Sequence, residues 1–348
     1  MITQHILIIR FSAMGDVAMV VPVVFSLAKQ YPQVHFTMLS RPFARPLFEN
    51  IAPNVSFMEA DIKHEYNGIK GLNALYRRLA AKQFTAVADL HNVLRTTYLR
   101  MRFNLDNQRV EHLVKDRQQR LLLTRSNNKV LEQLPSAFHN YAEVFRRLGY
   151  PIELDFKTLI TPAQANLRLL PAAIGEKKAF QQWIGIAPFA AHRGKTYPLP
   201  RIQEVIARLN RSHPSCRIFL FGAGAAENAL LDTLVTQNNH CLSVPRHLNG
   251  LQQELILMSH LDVMVTMDSA NMHLASLVGV PVVSIWGATH PYAGFLGWNQ
   301  SYDDVVQIDM DCRPCSVYGK KDCMRGDYAC LNQIAPEVIV EKVEKHLK

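Results

Sequence analysis

The sequence predicts an α/β protein built as two doubly wound, Rossmann-like domains facing across a cleft. Three observations carry this prediction. Apolar runs of strand length alternate with longer helical stretches along most of the chain. The alternation pauses at 151–181, a polar stretch bearing prolines, and then restarts. At 348 residues the chain is long for one domain and comfortable for two. The expected segments are 1–165, 166–335 and a final helical segment 336–348 that packs back on the first domain.

The first half opens with a buried strand, Ile6–Ile9, and a turn, Arg10 to Asp16, in which Gly15 is the single glycine. Asp16 stands at the start of a helix expected over Val17–Gln30. Val34–Leu39 is the next strand, which completes an opening βαβ. One glycine does not make the G-x-G-x-x-G dinucleotide fingerprint, so an NAD-type dehydrogenase or epimerase is disfavoured from this turn. Val55–Met58 reads as a strand, Ile69–Lys82 as a helix and Phe84–Leu90 as a strand leading into Asp89-Leu90-His91-Asn92. Residues 93–129 carry nine Lys and Arg against three Asp and Glu. Ser136–Leu148 is a helix ended by Gly149-Tyr150-Pro151.

The second half repeats the pattern. Trp183–Ala187 is a strand, followed by a loop with His192, Arg193 and Lys195. Helix Arg201–Ser212, strand Arg217–Phe221 and the turn Gly222-Ala223-Gly224 come next. Helix Ala226–Gln237 has Glu227 in its first turn, and helix Leu251–His260 follows. Leu261–Pro291 is the most informative stretch: a strand, the pair Asp268-Ser269, a short helix Ala270–Val278, a stop at Gly279 and a second strand, Pro281–Trp286. A helix that starts at the carboxyl end of a parallel strand presents free N–H groups where open α/β sheets bind ligands, and it favours a phosphate there. His273 lies one turn beyond Ser269 on the same side of that helix. The group reads as a seat for a nucleotide diphosphate.

Composition bounds the partners. Apolar residues make up 48% and charged residues 19%, as in a globular protein with a full core. No run approaches the length of a membrane span, and the apolar run at the N-terminus is too short for a signal peptide, so a cytoplasmic setting is expected. The net charge of +9 is placed unevenly: residues 1–150 hold 20 Lys and Arg against 11 Asp and Glu, and the remainder balances. The first half therefore calls for an anionic partner. Nucleic acid is one such partner, but no nucleic-acid motif accompanies the charge, and none is expected to bind.

The chain resembles the ADP-heptose:lipopolysaccharide heptosyltransferases, glycosyltransferase family 9, of GT-B fold. Four features carry the resemblance: Ile8 to Asp16 with Pro22 beyond, the loop ending in Lys195, Gly222-Ala223-Gly224 with Glu227, and Asp268-Ser269-Ala270-Asn271-Met272-His273 with Gly279-Val280-Pro281 and Trp286 to Pro291. The resemblance implies an inverting, metal-independent transfer of heptose from ADP-heptose to the lipopolysaccharide inner core, on a lipid A–Kdo or heptosylated acceptor; the alternatives are a related glycosyltransferase using another nucleotide sugar, or a non-catalytic α/β protein that binds an anionic ligand or nucleic acid. It implies Asp16 as the base, and Lys195, Glu227, Asp268, Ser269, Ala270 and His273 as the nucleotide and diphosphate site. The first domain would bind the acceptor, and the second the nucleotide sugar. Ser12, Met14, Gly15, Arg95, Lys115, Arg117 and Arg120 are the expected acceptor contacts, since cations suit a phosphorylated lipid in an anionic leaflet. A monomer associated peripherally with the inner membrane is expected.

Four cysteines cluster near the C-terminus, at 312, 315, 323 and 330. The C-x2-C spacing of Cys312 and Cys315 fits a structural zinc site, but Cys323 and Cys330 are spaced more loosely, and reduced thiols are the favoured state. No cofactor is expected to be required.

Overall fold

A computed structural model describes residues 4–347. Residues 1–3 and 348, at the ends of the expected first and last segments, lie outside the described residues. The chain divides into two compact units, residues 1–116 with 135–157, and residues 117–134 with 158–348.

The first unit holds a five-stranded parallel sheet in the order β3-β2-β1-β4-β5. Its strands are β1 (His5–Ile9), β2 (His35–Ser40), β3 (Val55–Glu59), β4 (Ala86–Asp89) and β5 (Arg109–His112). Its helices are α1 (Met14–Ala18), α2 (Val21–Gln30), α3 (Arg45–Phe48), α4 (Gly68–Ala80), α5 (Leu94–Leu105) and, after the excursion into the second unit, α7 (Ala137–Arg147). The single helix expected over Val17–Gln30 is two. Pro22 lies in the first turn of α2, and a residue without an N–H cannot carry the ladder of α1 onward. One face of the sheet packs Leu7, Ile9 and Val87 against Leu75, Leu79, Leu99 and Phe103 of α4 and α5.

The second unit holds a six-stranded parallel sheet in the order β11-β10-β9-β6-β7-β8. Its strands are β6 (Trp183–Ala187), β7 (Arg217–Leu220), β8 (Cys241–Ser243), β9 (Val263–Met267), β10 (Val282–Ile285) and β11 (Val305–Val306). Its helices are α6 (Arg117–Thr124), α8 (Leu199–Ser212), α9 (Ala225–Gln237), α10 (Leu251–Ser259), α11 (Ala270–Leu277), α12 (Ala329–Asn332) and α13 (Pro336–Glu344). The strands absent from the sequence reading, β5, β8 and β11, are all edge strands. They are short, and Arg109-Val110-Glu111-His112 in β5 is mostly polar, as edges of sheets tend to be.

Three placements differ from expectation, the first being that the second unit resumes at Thr158 and not at 166. The basic stretch 117–134 belongs to the second unit, although it lies well inside the expected 1–165 segment. Lys129 Nζ donates to the carbonyls of Asp311 and Arg313, and Leu134 N donates to Tyr292 O. The C-terminal helix α13 belongs to the second unit. Ile339, Val340 and Val343 enter the second unit's core beside Ile202, Val205 and Leu209 of α8, and Arg208 pairs with Glu337. The apolar stripe of α8 needs a cover, and α13 is the amphipathic helix that supplies it.

Candidate active site

In the first unit the sheet order reverses between β1 and β4, which is where open α/β sheets gather ligand-binding loops. Ile9 and Asp89 are register partners at the carboxyl ends of these strands, so the two following loops emerge side by side. Arg10 and His91 are both buried there. Arg10 Nη1 donates to Leu90 O at 2.6 Å, and its Nη2 lies 2.7 Å from Asp16 Oδ2. Ala13 N also donates to Asp16 Oδ2, at 3.0 Å. Both of these contacts fall on Oδ2. The carboxylate is held through Oδ2, and its side chain is 30% exposed.

The surroundings of Asp16 are strongly polar. Tyr141 OH donates to the Asp16 carbonyl, and the Arg10 guanidinium lies over the Tyr141 ring. Ser12 Oγ and His91 Nε2 are 3.4 Å apart. Burial holds the His91 imidazole down to about 3, helped by the positive charges of Arg10 and Lys115. Asp89, fully buried, accepts from the backbone N–H groups of His91 and Asn92 and lies 3.1 Å from Arg100 Nε. Lys115 Nζ donates to Asn92 O. Ser12, Met14, Gly15, Arg95 and Lys115 thus belong to the same unit as Asp16. Arg117 and Arg120 do not. They lie on α6, where Arg120 donates to Tyr318 OH at 2.7 Å and covers the Phe295 ring. The basic run 93–129 is therefore divided between the two units and is not one patch of the first domain, because charge spacing along the chain does not follow where the backbone crosses.

The second unit repeats the arrangement. Its sheet reverses between β6 and β9, and four neighbouring strands deliver the expected site loops at their carboxyl ends. Lys195 follows β6, Glu227 follows β7, Asp268 to His273 follow β9, and Gly287 to His290 follow β10. Lys195 Nζ lies 3.0 Å from Asp268 Oδ2, which also accepts from Thr289 Oγ1 at 2.8 Å. Asp268 is 6% exposed. It thus holds Lys195 within the expected nucleotide and diphosphate site.

Ser269 is the N-cap of α11, but its hydroxyl turns to Thr266 Oγ1, 3.1 Å away, and does not cap the helix. No side-chain cap occupies the first turn, so the N–H groups of Ala270 and Asn271 stay directed outward from the helix start. His273 is buried on the next turn. Glu227 Oε2 accepts from Ala223 N at 2.8 Å and so braces its own Gly222–Gly224 turn.

Thr289 lies in the Trp286–Pro291 motif, and Arg313 is a contributor the sequence does not reveal. Arg313 is buried and donates to the carbonyls of Gly287, Thr289 and Ile308, which pins the loop that carries Thr289. Two glycines make room for Lys195. A Cβ on Gly287 would stand 2.6 Å from Gly194 O, and one on Gly319, at φ +75°, would stand 2.5 Å from Lys195 Cγ. Glycine-rich spacing was the available signal, but which glycine meets which loop is a tertiary fact.

All four C-terminal cysteines are free thiols and line one cavity with Met310 and Arg313. Burial pushes the Cys330 thiol up to about 11. Among the described residues no three His, Cys, Asp or Glu side chains form a group that could hold a metal ion. The nearby pair Asp309 and Asp311 is exposed. No described helix is long and apolar enough to cross a membrane.

Residues 72–324 match the family model of glycosyltransferase family 9 (heptosyltransferase). The chain belongs to glycosyltransferase family 9. Among curated relatives, lipooligosaccharide heptosyltransferase 2 of Campylobacter jejuni is 23% identical over 344 residues, 96% of either chain. Among solved structures, a family 9 glycosyl transferase from Veillonella parvula aligns with TM-score 0.75 and 20% identity over 99% of this chain and 97% of that one. The E. coli ADP-heptose LPS heptosyltransferase II aligns with TM-score 0.69 and 19% identity over 99% and 98%. The two parallel sheets of this glycosyltransferase are those of the GT-B fold, as the sequence predicted.

Proposed function

We propose that this glycosyltransferase moves a heptose from ADP-heptose to the inner core of lipopolysaccharide, with inversion and without a catalytic metal. Family membership supports the transfer, and the relatives named above supply the donor and acceptor. The observation that carries the mechanism is the Asp268-anchored Lys195 in the same unit as the uncapped start of α11.

Inversion needs a base at the acceptor hydroxyl and a stabilised leaving group. In this reading Asp16 Oδ1 takes the hydroxyl proton as the acceptor oxygen bonds to the anomeric carbon. The bond from that carbon to the diphosphate oxygen breaks with its electron pair. Lys195 and the N–H groups of Ala270 and Asn271 then receive the negative charge, the work a divalent cation does elsewhere. Glu227 accepts from ribose hydroxyls, and His273 bonds to the diphosphate. Arg95 and Lys115 attract the anionic acceptor to the first unit, and Arg117 and Arg120 contribute from the second. The enzyme works at the cytoplasmic face of the inner membrane as a peripheral protein and a monomer.

Calorimetric titration with ADP, UDP, GDP and NADH, in chelator and without added metal, tests the donor site. Binding of ADP with at least about ten-fold preference over the others is expected. A preference for UDP or GDP overturns the ADP-sugar donor while leaving the transferase, and binding of none overturns the Lys195–α11 seat.

A further inference from the structure

The outer sides of α4 and α5 carry a ridge that neither the core nor the proposed chemistry uses. Leu94, Met101 and Leu105 recur at i, i+7 and i+11, so they form one line along α5. They are 92%, 55% and 77% exposed. Asn73 Oδ1 of α4 accepts from Tyr98 OH and Arg102 Nη1 of α5, which sets the helices side by side. Ile69, one turn before Asn73 on α4, is 69% exposed and extends the apolar surface. Large apolar side chains in a row at such exposure mark a contact surface.

Charge identifies the partner. The two helices contain Lys70, Arg77, Arg78, Arg95, Arg100 and Arg102, and no Asp or Glu. Arg100 is committed to Asp89, Arg102 to Asn73 and Arg78 to Tyr66 OH, while Lys70 and Arg77 are exposed. Asp106, the C-cap of α5, accepts from Tyr76 OH, and an apolar line on helices whose own charges are all cations is the composition that lies flat in the interface of an anionic bilayer. The ridge is also continuous with the Asp16 site, because Leu94 begins the helix that follows β4 and its His91–Asn92 turn.

We propose that the α4–α5 face docks this protein on an anionic lipid bilayer. The inference rests on the proposed lipid-anchored acceptor, whose sugar must meet Asp16 while its acyl chains stay in the leaflet. The leaflet then meets the protein along α5, with Leu94, Met101 and Leu105 inserted among the headgroups.

Flotation of the full chain with vesicles of phosphatidylethanolamine and phosphatidylglycerol, against phosphatidylcholine alone, tests the face without any substrate. Binding to the anionic vesicles only is expected. Leu94→Glu with Met101→Glu should lower it at least about ten-fold, and Leu105→Glu alone several-fold. The control Leu169→Glu, at an exposed leucine of the second unit, should leave it unchanged, and ADP affinity should stay within about two-fold in all variants. Equal binding by wild type and the double variant overturns the proposal. So does absence of wild-type binding, or a wild-type dimer that the double variant splits, since a second copy would then cover the ridge. Transfer to a delipidated acceptor, measured in parallel, reports on the proposed reaction. Its failure beside intact, variant-sensitive flotation would sink that reaction and leave the docking face.

Discussion

Lys195 Nζ and Asp268 Oδ2 stand 3.0 Å apart, and Thr289 Oγ1 reaches the same carboxylate oxygen at 2.8 Å. The pair spans the point where the second sheet reverses, with Lys195 from the loop after β6 and Asp268 from the end of β9. A carboxylate so placed would repel a diphosphate if it faced it. Holding the ammonium in position is the role its geometry allows.

That distinction has a sign. Asp268→Asn frees Lys195 and is expected to weaken ADP binding about ten-fold, near 1.4 kcal/mol. A carboxylate facing the phosphates would give the opposite, tighter binding on neutralisation. Lys195→Ala should weaken ADP further and also lower thermal stability, because it strands a buried charge. Calorimetry and thermal melts of the two variants check both expectations.

Asp16 offers a second test. Asp16→Asn keeps the shape of the side chain and removes the base, so kcat should fall by about 10²–10⁴-fold with ADP affinity unchanged. Arg10→Lys keeps the charge but cannot hold Leu90 O and Asp16 together. A fall in kcat of roughly ten-fold at constant donor KM is expected of this positioning residue. A loss confined to donor KM would remove Arg10 and Asp16 from the chemistry.

Acid stability follows from His91. Burial lowers its folded-state value to about 3, against about 6.5 in the unfolded chain. The unfolded state therefore binds the extra proton between those values. The contribution is complete above about pH 6.5 and declines as pH falls from there toward 3, at up to about 1.4 kcal/mol per pH unit for this one group. His91→Gln should flatten the decline between pH 6.5 and 4 in urea melts. An unchanged slope would assign the acid sensitivity to other buried histidines, of which His290 is one, held down to about 4 by burial.

Much of this protein was determined by local sequence. Apolar runs such as Ile6–Ile9 and Val263–Val265 had to be buried strands, Pro336 and Glu337 had to open a helix, and Asp268-Ser269 had to end a strand at a helix start. These outcomes rest on periodicity and on backbone chemistry within a few residues. They also located Asp16, Lys195 and Asp268 in the segments that follow their strands. Tertiary structure decided the rest. It gave 117–134 and α13 to the second unit, since packing energy depends on which apolar faces meet and not on chain order. It paired Asp268 with Lys195, gave Arg10 and Thr289 their bonding partners, and brought in Arg313. Partners such as Asp268 and Thr289 lie 21 residues apart, and Arg10 reaches Leu90 across 80. Hydrogen bonds at such separations are set by strand order in a folded sheet, which no local pattern encodes.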